Sequence, residues 1–80
     1  MSVNDSLTNQ LIKCFNNCFL PSNELLSAKI KEHIQCNMEV IEQCSDCLLI
    51  NLIFDDCSVG FRFNISNENN RPIIRSIIRV

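Results

Sequence analysis

The sequence predicts an α+β fold: an N-terminal antiparallel helix hairpin packed on a three-stranded antiparallel β-meander, in the order ααβββ. Three observations predict it. Apolar residues recur at helical spacing as far as Gln43, the period changes to two from Cys47 onward, and short polar segments punctuate the second half. Eighty residues are expected to form a single domain, 1–80, near the size at which one core gives only marginal stability.

The first helix is expected over about residues 6–19, with Asn4 or Asp5 as its N-cap. Leu7, Leu11, Ile12, Cys14, Phe15, Cys18 and Phe19 share one arc, and Asn9, Gln10, Lys13, Asn16 and Asn17 fill the other. Leu20-Pro21 ends it, because the residue before proline is pushed out of the α region. Ser22 or Asn23 then caps a second helix over about 22–45. Its apolar arc holds Leu26, Ile30, Ile34, Met38, Val40, Ile41 and Cys44, with Lys31, Glu32, Gln35, Glu39 and Glu42 opposite. The short link favours an antiparallel pairing of the two helices. His33 and Asn37 interrupt the apolar arc, and Cys36 falls on the polar side, where it is expected to be the exposed thiol.

The first strand is expected over about 47–54, with Leu48, Ile50, Leu52 and Phe54 on one face and Leu49, Asn51 and Ile53 on the other. Asp55-Asp56-Cys57 supplies a turn. The second strand, about 58–66, alternates most cleanly: Val59, Phe61, Phe63 and Ile65 against Gly60, Arg62 and Asn64. A polar turn at Asn67-Glu68-Asn69-Asn70 leads to a third strand over about 73–80. There the run of isoleucines outweighs a competing helical stripe, and Pro72 stands at the start, where its missing N–H is tolerated.

Composition excludes several classes. With 46% hydrophobic and 20% charged residues the chain is too apolar for disorder. A net charge of −2 argues against a dedicated nucleic-acid binder. The charge is uneven: residues 1–57 set three lysines against eight acids, whereas residues 58–80 set four arginines against Glu68 alone. No apolar run approaches the length of a membrane span, and no signal-peptide pattern is seen, so a cytoplasmic location is expected. G-x-S-x-G, P-loop, dinucleotide and zinc-protease patterns are absent, and neither an enzyme nor a cofactor is expected.

Six cysteines, at 14, 18, 36, 44, 47 and 57, admit three readings. The leading one treats Cys14, Cys18 and Cys44 as small core hydrophobes of a reduced protein, with no metal bound. A zinc alternative uses Cys14, Cys18, Cys44 and Cys47, whose paired spacings suit thiolate ligands although no glycine-rich knuckle follows. A disulfide alternative makes the chain an extracytoplasmic sensor or ligand domain, where the sequons at Asn4 and Asn64 would matter. His33, as the lone histidine, is expected to be a hydrogen-bonded interior group, and Asp46, Asp55 and Asp56 are turn formers.

The arginines carry the functional expectation. If Ile74, Ile78 and Val80 face the helices, then Ile73, Arg75, Ile77 and Arg79 join Arg62 on the outer face, with Leu49 or Ile53 beside them. Aliphatic residues mixed with arginine on a nominally wet face read as a protein interface. The expected function is therefore a small protein-interaction module: an inhibitor, adaptor, chaperone-like protein or regulatory subunit. It binds a partner with an acidic surface, as a homodimer or hetero-complex, through Arg62, Ile73, Arg75, Ile77 and Arg79 or by strand addition at residues 73–80. A nucleic-acid-binding or zinc-stabilised regulatory domain is the alternative class, disfavoured because the phenylalanines alternate with Arg62 and face away from it.

Overall fold

The computed structural model describes residues 3–80, with side chains from Ser6 onward. It holds α1 (Val3–Phe15), α2 (Asn23–His33), β1 (Asn37–Gln43), β2 (Cys47–Ile53), β3 (Ser58–Glu68) and β4 (Arg71–Arg79). The four strands form one antiparallel sheet in the order β1-β2-β3-β4. The class is α+β, with four strands where the sequence predicts three.

α1 already includes Asn4 and Asp5, so neither precedes it as a cap; the capping and sequon roles expected of their side chains fall outside the described residues. The helix stops at Phe15, short of Phe19, because Asn17 adopts a left-handed conformation with φ 63°. Asparagine tolerates that region and commonly ends helices there. α2 begins where the sequence places it: the Ser22 hydroxyl accepts from the Leu25 N–H at 3.2 Å.

The largest correction is at the other end of α2. The expected helix to residue 45 ends at His33, and Ile34 turns extended (φ −134°, ψ 126°) while its N–H makes a bond to the Ile30 carbonyl. From there Ile34, Cys36, Met38 and Val40 alternate with Gln35, Asn37 and Glu39, a period of two embedded in what also fits a helical arc. Pairing decides between the two. β2 offers an open row of backbone donors and acceptors, and β1 fills it in register Asn37↔Ile53, Met38↔Leu52, Glu39↔Asn51 and Val40↔Ile50. Asn37 is accordingly exposed rather than within a buried arc, and Cys36 is half-buried rather than exposed.

The expected antiparallel helix hairpin is not confirmed, because each helix makes its main contacts with the sheet. α1 packs chiefly against β4 and α2 against β1. Leu7, Leu11 and Phe15 from α1, Leu26 and Ile30 from α2, and Ile34 just beyond it all enter one core. They cover Leu48, Ile50 and Leu52 of β2, Val59, Phe61, Phe63 and Ile65 of β3, and Ile74 and Ile77 of β4. The Phe15 and Phe63 rings meet at 6.3 Å between centroids. Burying each such side chain stabilises the fold by about 1.5–3 kcal/mol.

The turns follow residue chemistry. Asn69 and Asn70, at φ 54° and 65°, make the two-residue β3–β4 connection with the positive angles that match strand twist. Phe54 N–H bonds to the Cys57 carbonyl at 2.8 Å and closes the β2–β3 turn around Asp55-Asp56.

Candidate partner-binding face

Both helices lie on one side of the sheet, so among the described residues the other side has no layer over it. Its rows follow from the register. Glu42, Leu49, Arg62 and Ile78 form one row across β1 to β4. Glu39, Asn51 and Gly60 form the next, and Asn37, Ile53 and Ser58 the one beyond. On the same face, flanking the first row in the opposite direction along the strands, lies Cys47–Asn64–Ser76. Leu49 is half-buried, and Ile53 and Ile78 are exposed. Gly60 leaves room for Val80, whose N–H bonds to the Gly60 carbonyl at 3.0 Å; a Cβ at Gly60 would stand 2.9 Å from Val80 Cγ2. No aromatic side chain projects from these rows.

The face differs from the expected one because β4 carries a bulge. Pairing steps from Asn64↔Ser76 to Ile65↔Ile74, which leaves Arg75 as the extra residue and inverts the alternation beyond it. Ile74 and Ile77, three apart, therefore both point into the core, and Ile77 is only 3% exposed. Ile78, expected inward, is 49% exposed on the open face.

The five residues expected to bind a partner are thus not brought together. Arg62 stands on the open face, where its Nε donates to Asn64 Oδ1 at 2.9 Å and Asn64 Nδ2 donates to Ser76 Oγ at 2.7 Å. Ile73 shares that side by its pairing with Ser66 but is half-buried at the margin beside Phe19. Arg75, at the bulge, forms an ion pair with Glu68 and a 3.2 Å bond to Asn17 Oδ1. Arg79 pairs with Phe61 and so belongs to the helix side at the strand end, with its side chain exposed. Ile77 is in the core. Sequence reasoning missed Glu42 and Ile78, because one was assigned to a helix and the other to the interior.

Strand addition along residues 73–80 is also restricted. The segment after α1 already pairs with the start of β4: Asn17 N–H to Ile74 O at 2.7 Å, Ile74 N–H to Cys18 O at 2.9 Å, and Leu20 N–H to Pro72 O at 2.8 Å. The opposite edge, β1, is blunted by Glu39, Glu42 and a second bulge between Val40 and Glu42.

The cysteines are all free thiols. Cys14 lies in the last turn of α1 and Cys18 just beyond it, and Cys44 and Cys47 flank the β1–β2 turn. Cys18 and Cys44, expected in the core, are exposed, and Cys14 is half-buried, because the helix ends early and the segment before Cys47 is an edge strand and turn. The four of the zinc alternative do not converge, and among the described residues no three His, Cys, Asp or Glu side chains are grouped to hold a metal ion. His33, expected inside, is exposed at the rim of an open cleft of about 220 Å³ shared with Cys14, Cys18 and Glu32. Burial pushes the Cys36 thiol up from its ordinary pKa, with Lys31 opposing. Cys44 is pushed up to about 11, first by its hydrogen bond with Cys47, then by partial desolvation and the nearby charges of Cys47 and Glu42. Alkylation requires the thiolate, so Cys44 is expected to react slowly at pH 9 and to accelerate up to about pH 11. Replacing Cys47 with Ala removes the main cause and is expected to raise the Cys44 rate at pH 9 by about tenfold or more, read by peptide mass spectrometry.

Among the described residues, no helix is long and apolar enough to cross a membrane. Comparison with protein-family models, curated proteins and solved structures finds no match for this chain.

Proposed function

We propose that this chain is a small, non-enzymatic protein-interaction module, acting as an inhibitor, adaptor, chaperone-like protein or regulatory subunit, and that it docks a partner protein on the helix-free face of its sheet. The observation that carries the reading is the row Glu42–Leu49–Arg62–Ile78 with Ile53 nearby: aliphatic side chains and an arginine on a sheet face that none of the described elements covers. Interfaces concentrate their energy in such buried apolar and arginine positions, ringed by polar groups that exclude water. Arg62 uses its Nε on Asn64 and keeps its terminal N–H groups for an acidic group on the partner.

Leu49→Asp is the test, because Leu49 sits at the centre of the face and outside the core. Proteins cross-linked to the immobilised wild-type chain are expected to be lost with Leu49→Asp, with affinity reduced about thirtyfold or more. They are expected to be retained with Leu25→Asp, an exposed position on α2. Circular dichroism melting checks that both variants fold. A partner held equally well by Leu49→Asp overturns the reading.

A further inference from the structure

We infer that the occupant of this face is a second copy of the chain, related by a two-fold axis running parallel to the strands above β2. The inference rests on the interaction reading above and names its partner.

Charge selects this arrangement. Glu42 and Arg62 flank Leu49, one strand away on either side, in a single row. Both are exposed, and neither forms an ion pair among the described residues. Rotation about an axis over β2 exchanges the β1 and β3 positions between facing sheets. Arg62 of each copy then stands over Glu42 of the other, Leu49 packs on its own counterpart, and two rows away Ile53 does the same. An axis over β3 sets Arg62 against Arg62. An axis across the strands over this same row sets every strand over itself, again placing arginine on arginine and glutamate near glutamate. Like charges brought together out of water are strongly unfavourable, so one of these three registers survives. It is also isologous, with the same patch on both copies, which closes the assembly at two. Nearly parallel strands across the interface match the aligned packing of twisted sheets.

The same geometry supplies the acid that Arg62 lacks. Among the described residues the Glu42 carboxylate accepts only from the Cys44 thiol, at 3.6 Å, a weak bond that a guanidinium displaces readily. Asn64, which holds Arg62 Nε, fixes the guanidinium close to the sheet and lowers the entropy lost on pairing.

The experiment is a charge exchange read by sedimentation equilibrium of the full chain. Wild type is expected to dimerise at micromolar to submillimolar concentration. Glu42→Arg and Arg62→Glu, each alone, are expected to weaken self-association about tenfold or more. An equimolar mixture of the two variants is expected to recover a dimer, because the mixed pair keeps one Arg62–Glu42 contact and reverses the sign of both partners in the other. A mixture that stays monomeric, or a wild type that is monomeric throughout, overturns the inference. If Leu49→Asp nonetheless loses a cross-linked protein, the interaction reading stands with a different occupant. An independent measurement needs no variant: in a mixture of differently labelled wild-type chains, intermolecular methyl contacts are expected at Leu49–Leu49 and Ile53–Ile53. Their absence in a sample shown to be dimeric assigns the dimer to another surface and overturns the inference equally.

Discussion

Ile77→Asp is expected to abolish the cooperative thermal transition, whereas Ile78→Asp, one residue on, is expected to leave it nearly unchanged. Ile77 is 3% exposed, among the residues that pack under the helices, and Ile78 stands on the open face. Losing the Ile77 side chain alone costs about 2–5 kcal/mol, and leaving a carboxylate in its place adds several more. A chain of this length has roughly 4–12 kcal/mol in total. At Ile78 the cost is confined to strand propensity, about 1 kcal/mol or less. The Ile77→Asp defect is expected to ease in acid. A buried carboxyl has a folded-state pKa above its unfolded value of about 3.9, so the folded form takes up the proton first and gains stability as pH falls. Differential scanning calorimetry of both variants at neutral and acid pH checks the pair. The reverse outcome, Ile78 essential and Ile77 indifferent, means that β4 runs without its bulge.

Phe63→Ala is expected to cost about 3–5 kcal/mol, most of the stability available. Phe63 has no exposed surface, lies mid-sheet between Leu48 and Ile77, and meets the Phe15 ring of α1. The cavity would open beneath the helix–sheet contact, where neither rigid layer collapses easily, so the upper end of that range applies. Urea unfolding followed by far-ultraviolet dichroism reads it. A loss below about 1 kcal/mol means that α1 does not pack over β3.

These variants also mark where the sequence is and is not readable. β2 and β3 are legible because alternation is a local property: Val59, Phe61, Phe63 and Ile65 face one way wherever that strand is placed. Ser22 is legible for the same reason, since a cap acts on residues three along. The switch from helix to strand at Ile34 is not, because Ile34, Met38 and Ile41 fit one period and Ile34, Cys36, Met38 and Val40 fit the other. The tie is broken by the edge of β2, which lies across a hairpin turn and outside the segment whose own pattern is being read. The Arg75 bulge is a relation between two strands and has no single-strand signature; it moved Ile77 into the core and Ile78 out of it. The candidate face inherits both errors. Arg62 and Leu49 were visible as outward residues of well-patterned strands, while Glu42 and Ile78 were hidden by one wrong period and one missed insertion.

The contact between residues 17–20 and β4 has a bearing on how the molecule assembles. Each neighbouring pair in the sheet is a hairpin, so the meander can zip up from one turn to the next without long excursions of chain. The bonds from Asn17 and Leu20 to Ile74 and Pro72 are of another kind, because they close a loop that contains nearly everything else. Loop entropy grows only slowly with length, so that latch is affordable, but it gains a partner only once β4 is in place. Folding should therefore finish at this seam, and native-state opening should begin there. The amides of Asn17, Leu20 and Ile74 would then exchange with solvent sooner than those of β2 and β3, with α1 lifting away while the meander stays whole.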